Sequence, residues 1–399
     1  MKHLFPGATG HFSLIQGCYW MTYCILISFS SLYLLDRGFT NTQIGLLLGI
    51  AGLTAAILQP FVGAKGDHLK VLSLRQFTSL PIAAMILCGV GLFLVPAKPV
   101  QAALYMVLLV LLQLLTPLIY SLGMDCLNNH LELNFGLARA IGGGTYALAS
   151  AVCGSLAAAL GARVIPLVLV VAVALMLAFT FTFRQGGPVK STLPKPDALP
   201  QSDGTPFLKK YPQVLPLLIG VILLYTSHNV IMNFPYQIVR SLGCGSAEMG
   251  HYLTLQSLMD IPAMVVFSLL LKRASSRAWV RLTGISFFLH ALLTWLAPNL
   301  PFLMVVQVFE MSGYALYSVS SVYFVNEMVD LCDRVQGQTY FTMANTIGIV
   351  LSSVLGGRLL DLGGASAALC LATVTGAAGM VILWFLLRRK SLRPATNAA

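Results

Sequence analysis

The chain has 399 residues, of which 57% are hydrophobic and 9% charged, with a mean hydropathy of +0.82 and a formal net charge of +11. That balance excludes a water-soluble globular fold and a disordered chain, since neither carries so much apolar surface on so few charges. The basic residues lie mostly in short loops between long apolar stretches, which sets nucleic-acid binding aside and predicts an integral membrane protein.

About 20 apolar helical residues cross a bilayer's hydrocarbon core, and a helix satisfies its own backbone there without water. Twelve such stretches follow in chain order, at about 11–34, 43–64, 75–97, 100–124, 137–161, 163–183, 213–236, 247–271, 279–298, 300–325, 338–360 and 365–387. The start, MKHLFPGATGHFSL, lacks a basic region followed by a compact apolar stretch and a cleavage site, so the first helix is expected to insert uncleaved. Gln16, Tyr19, Trp20 and Tyr23 share one face of that helix, either lining a polar cavity or packing at an interface. Between the sixth and seventh stretches, residues 185–212 are rich in Pro, Gly, Ser and charge and predict a linker.

Of the 24 Lys and Arg residues, 19 fall on the side shared by both termini and five (Arg37, Lys98, Arg163, Arg240, Arg358) on the other. The positive-inside rule then makes both termini cytoplasmic. The eight cysteines form no CxxC pair or metal-ligand cluster, so neither a disulfide nor a metal is expected.

The two halves repeat one another. Glycines at 136, 154 and 161 are echoed at 337, 356 and 363, and Pro60 is echoed by Pro262. A duplicated six-helix unit with a central linker resembles the major facilitator superfamily, which implies a substrate held at mid-membrane by halves that rock about it. The loop after the second stretch, GAKGDHLKVLSLRQ, resembles that superfamily's cytoplasmic signature and carries Gly63, Gly66, Asp67 and Lys70 as a conformational switch. There glycine permits a tight turn, and Asp67 caps a helix start or pairs with a base.

Residues 134–150, NFGLARAIGGGTYALAS, resemble the fifth helix of the lactose permease and its oligosaccharide/nucleoside:proton symporter relatives. The resemblance implies that Arg139 grips solute hydroxyls with its fork of N–H donors and that Tyr146 packs on the solute ring. Their seven-residue spacing puts both on one helix face. In SLMDIP (257–262), Asp260 takes the place of the relatives' eighth-helix acid, and Glu310 aligns with their proton-carrying carboxylate, with Gln307 where they have histidine. The chain also departs from the pattern: Phe287 stands at the ninth-helix arginine position and Ser121 at the sugar-binding carboxylate position. The seventh stretch offers His228, Asn229 and Asn233 in place of paired aspartates.

Ionisable groups inside spans are costly and face a cavity or one another. Asp260, His290 and Glu310 are the deep ones and are expected to meet as a proton-carrying site, because a carboxyl that alternates between desolvation and a cation partner loads and releases a proton. A structural ion pair is the plainer reading. Tyr19, Tyr23, Asn229, Asn233, Gln256 and Gln307 are further candidate solute ligands. Glu327, Asp330 and Asp333 read as solvated loop charge.

No GxxxxGK[ST] loop or strand-borne GxGxxG is present, and no nucleophile–base grouping recurs, so neither ATP-driven transport nor enzymatic activity is expected. The expectation is an all-α, twelve-helix membrane protein: a six-helix bundle at 1–184, a linker at 185–212 and a second bundle at 213–399. It would act as a monomer in the plasma (inner) membrane and couple protons, with no other cofactor, to movement of a sugar, oligosaccharide or nucleoside. Proton-driven efflux on the same fold, and a membrane sensor that transports nothing, stay open as alternatives.

Overall fold

The computed structural model describes residues 7–67, 73–128, 133–183, 206–270, 274–330 and 333–388, and every regular element among them is helical. α1 (Gly7–Tyr23) continues through a π turn (Cys24–Ser28) into α2 (Ser30–Asp36), with a bend of 48°. Then come α3 (Asn41–Asp67), α4 (Leu74–Leu94), α5 (Lys98–Asn128), α6 (Phe135–Leu160) and α7 (Ile165–Thr182). Beyond residue 205 come a short α8 (Phe207–Lys210), within the stretch expected as linker, then α9 (Val214–Asn233), α10 (Pro235–Ser241), α11 (Ser246–Leu270) and α12 (Ser276–Trp295). α13 (Leu300–Val306), α14 (Val308–Glu310), a second π turn (Met311–Ala315), α15 (Leu316–Met328) and α16 (Arg334–Arg388) complete the order.

Eight helical stretches are long and apolar enough to cross a membrane, α13 to α15 counting as one (Leu300–Met328), and nine if the bent α1–α2 pair counts as one span. α11 and α12, at 25 and 20 residues, match that length but fall outside the set. α16 has 55 residues. At about 1.5 Å per residue it is more than twice as long as the bilayer core is thick. It breaks at Gly363 and Gly364, the latter at φ +66 where a side chain would be strained, between the stretches expected at 338–360 and 365–387.

Local signals explain several boundaries. Ser73 and Gln76 form a reciprocal capping box at the start of α4, and the Asn134 side chain accepts the Leu137 N–H at the start of α6. The expected turn at Gly63 and Gly66 is instead continuous helix, and Asp67 closes α3 rather than opening a helix. Nothing there interrupts the i→i−4 ladder, since glycine permits a turn without imposing one. Lys70 lies outside the described residues.

Packing divides the chain into two units, Met1–Thr192 with Asn233–Leu258, and Leu193–Met232 with Met259–Ala399. In the first, α1 packs on α6 and α7, and α5 on α3 and α4. The early part of α11 belongs here because glycines let it meet α6 backbone to backbone. A Cβ at Gly154 would sit 2.7 Å from both the Gly250 Cα and the Ser246 carbonyl. Thr254 donates to the Ala147 carbonyl at 3.0 Å and Ser257 to the Gly143 carbonyl at 2.9 Å, a small-residue seam of the kind membrane helices use.

In the second unit, Leu217, Val221 and Leu224 of α9, Val280 and Phe287 of α12, Tyr317 and Phe324 of α15, and Phe341 and Leu383 of α16 form one buried core. At one end of that core the expectation of solvated acids is corrected for Asp333, while Glu327 and Asp330 are exposed as expected. Asp333 is buried and accepts from Lys210 Nζ at 2.7 Å and from the Tyr211 hydroxyl at 2.9 Å. Asp330 accepts from the same hydroxyl at 2.9 Å and pairs with Lys210 at 3.1 Å. Glu327 lies within α15 and accepts from Ser276. The hydrogen bond to Asp333 holds the Lys210 ammonium well above the ordinary lysine range, and burial pushes the Tyr211 phenol up. The pairing draws Asp333 inward, because a buried carboxylate with a cation and a hydroxyl donor no longer needs water.

Candidate functional site

The second unit gathers its ionisable groups around Glu310. The helix is rephased on both sides of it: the N–H groups of Gln307 and Glu310 bond three residues back, and a π turn follows from Met311. Such irregular turns inside helices recur at functional sites because they redirect side chains. Glu310 Oε2 lies 3.4 Å from His228 Nδ1 on α9 and 3.4 Å from His290 Nδ1 on α12. The three residues are 1–4% exposed. Tyr314, carried by the π turn, stacks on His228 at 4.8 Å and 5°, and Phe287 meets that imidazole edge-on at 5.5 Å. Gln307 lies beside His290 and donates to the Leu303 carbonyl at 3.1 Å.

Two imidazoles thus share one buried carboxylate oxygen, which makes the three a single cluster of ionisable groups. Their donor atoms all lie within 4.8 Å of one another. Ligands on tetrahedral zinc stand closer, about 3.3 Å apart for bonds of about 2.0–2.1 Å, so the set is looser than a preformed metal cage.

The expected trio of Asp260, His290 and Glu310 is therefore amended. His290 and Glu310 meet, His228 is the third member, and Asp260, half-buried on α11, stands outside the group. His228 was legible as an ionisable residue well inside the seventh stretch, but its role was read there as a stand-in for aspartates. Asn229 bonds back to the Tyr225 carbonyl at 2.9 Å. Asn233, at the end of α9, and Gln256, on α11, are both buried and belong to the first unit.

That first unit holds the other cluster. The Arg139 guanidinium lies 4.0 Å above the Trp20 ring and donates to the Tyr120 hydroxyl at 3.2 Å. Gly142, one helical turn along α6, makes room for the indole, since a Cβ there would collide with Trp20. Tyr23 packs on Trp20 at 5.2 Å and Tyr19 meets it edge-on at 5.5 Å. The Tyr19 and Thr116 hydroxyls share a hydrogen bond at 2.6 Å, as do those of Tyr146 and Ser28. Arg139 thus meets Trp20, three turns along α1, as its aromatic partner. Trp20 was singled out with its helix face, but its pairing with Arg139 and the part of Tyr120 were missed because they depend on which helix faces α6, which periodicity within one helix does not reveal.

This assembly of apolar helices around buried ionisable groups is that of a membrane transporter of the major facilitator type. The fold matches a mutant form of the nucleoside transporter NupG with a TM-score of 0.79 at 14% identity, over 96% of this chain and 99% of that one. It also matches an auto-inhibited peptide transporter of the POT family (TM-score 0.70, 10% identity, 99% of each chain). A bacterial homologue of the iron transporter ferroportin in its inward-facing state matches at a TM-score of 0.70 with 15% identity, over 96% of this chain and 99% of that one. No curated protein sequence matches the chain. Residues 13–370 match the model of the MFS_1 like family, and the chain belongs to that family.

Proposed function

We propose that this protein is a secondary active transporter that couples proton entry to uptake of a small polar solute, in the first instance a sugar, an oligosaccharide or a nucleoside. It works by alternating access of two six-helix bundles, 1–184 and 213–399, joined by the linker 185–212. The proposed setting is the plasma (inner) membrane, with twelve spans, both termini cytoplasmic, and the monomer as the working unit. Arg139, with Tyr19, Tyr23, Tyr146, Asn229, Asn233, Gln256 and Gln307 as further ligands, holds the solute. Glu310 with His290 and His228 carries the proton, and Asp260 serves as a second acid. Gly63, Gly66, Asp67 and Lys70 act in the conformational switch.

The observation that carries this reading is the buried His228–Glu310–His290 group, because a membrane protein keeps such costly groups where protons or ions move. Proteoliposomes with an imposed pH gradient test it against a panel of labelled sugars and nucleosides. At least one solute should accumulate, and a protonophore should abolish that accumulation. Uptake that is undiminished without the gradient would refute the coupling.

A further inference from the structure

We infer that His228, His290 and Glu310 form a binding site for a divalent transition-metal ion of the zinc class, with a fourth position open to water or a solute oxygen. The inference gives the group proposed to carry the proton a second ligand. It rests on the geometry of the three side chains rather than on the coupling of transport.

The donor set suits such an ion. Zinc sites with an open position use three protein ligands, and two histidines with one carboxylate are a recurring set. Imidazole nitrogen favours zinc and its transition-metal neighbours, whereas Mg²⁺ and Ca²⁺ are held by oxygens. The three ligands come from separate helical segments, α9, α12 and α14, and all are buried. Among the described residues this is the one group of three His, Cys, Asp or Glu side chains close enough to share an ion. The cysteines, from which no metal was expected, do not reveal it, because none of its ligands is a cysteine.

The spacing is that of ligands around an ion. Each imidazole Nδ1 stands 3.4 Å from Glu310 Oε2. A charge-assisted N–H···O hydrogen bond is shorter, at about 2.7–2.9 Å. Two ligands on tetrahedral zinc stand about 3.3 Å apart, so two edges of the ligand triangle are already close to their bound length. The third edge, between the imidazoles, lies within 4.8 Å, and closing it takes at most about 1.5 Å, or about 0.8 Å at each ring. His228 Nδ1 is buried with no hydrogen bond, a costly state that a metal answers. Tyr314 and Phe287 hold that ring with Nδ1 towards Glu310. Gln307, beside His290, carries a buried amide oxygen without a hydrogen bond, and His290 Nε2 is likewise unbonded. A metal-bound histidine donates its other N–H to such an acceptor, which fixes the ligating nitrogen.

The test is metal binding to the purified, tag-free, full-length protein in nanodiscs at fixed pH. Zn²⁺, Mg²⁺ and Ca²⁺ are compared by calorimetry, and Co²⁺ by its visible spectrum. One Zn²⁺ should bind per chain, at least about a hundredfold more tightly than Mg²⁺ or Ca²⁺. Co²⁺ should show the strong visible bands of a tetrahedral site. X-ray absorption of the zinc-loaded protein should show imidazole ligands at about 2.0–2.1 Å. His228→Gln and Glu310→Gln should each weaken Zn²⁺ binding by at least about tenfold. The selectivity and the spectra use the unaltered protein, so they stand even if a variant fails to fold. The inference is overturned if Zn²⁺ does not bind, if Mg²⁺ binds as tightly, if the spectra show no imidazole ligand, or if both folded variants bind Zn²⁺ as the unaltered protein does. Gradient-driven uptake by a protein that binds no Zn²⁺ would sink this inference and leave the proposed function intact. Zn²⁺ binding without gradient-driven uptake would do the reverse.

Discussion

Replacing Glu310 by glutamine tests the proton site with the smallest change in shape. Both histidine nitrogens stand 3.4 Å from the same carboxylate oxygen. When one of the imidazoles is protonated, unit charges at that distance attract by about 5 kcal/mol at an effective dielectric of about 20. Glutamine keeps a carbonyl acceptor but removes that attraction, which is worth three to four decades in an equilibrium constant. A transporter that moves solute uphill by loading and releasing this proton should lose accumulation under a pH gradient by at least a hundredfold. Exchange of labelled for unlabelled solute, which needs no net proton movement, should stay within about threefold. The assay compares both modes in the same proteoliposomes, with the solute that the gradient screen identifies. Uphill accumulation at half the unaltered level or more in Glu310→Gln would refute the reasoning, and loss of both modes together would reduce Glu310 to a structural role.

Asp333→Asn should destabilise the second unit by about 2–3 kcal/mol, because Lys210 and Tyr211 then lose a buried charged acceptor. A double-mutant cycle with Lys210→Met should recover at least 1 kcal/mol of coupling, and additive losses would deny the pair. The folded-state pKa of Lys210 and of Tyr211 lies above the unfolded one, so their contribution is complete below about pH 10. It is lost only as pH rises towards the folded values, so the melting-temperature gap between Asp333→Asn and the unaltered protein should be constant from pH 6 to 9 and shrink above about pH 10. A gap that closes on acidification to pH 6 would contradict that sign. In the first unit, Gly154→Ala should cost about 1–3 kcal/mol, since its Cβ meets the α11 backbone at 2.7 Å. Gly144→Ala, on the same helix with nothing within 4 Å, should be neutral or slightly stabilising, and equal melting-temperature losses would dismiss the seam.

Much of the candidate site was visible along the chain because an ionisable residue inside an apolar stretch is conspicuous. Glu310 and His290 were found that way, as was Arg139 from its setting in NFGLARAIG. What failed was pairing across helices. Asp260, His290 and Glu310 were expected to converge, yet His228 on α9 occupies the third place, and the packing of Trp20 on Arg139 was not foreseen. Asp333 was read as solvated because the lysine and tyrosine that bury it lie about 120 residues upstream.

The sequence by itself determined that the chain lives in a bilayer and is helical, because hydrophobic length and backbone self-sufficiency are local properties of each stretch. It also marked which few polar residues interrupt those stretches. Which of those residues meet was decided only by tertiary structure. The rephased turns around Glu310, the glycines that admit α11 against α6, and the indole seated at Gly142 set distances between helices. Those distances depend on how two surfaces interlock, and no period within one helix encodes them.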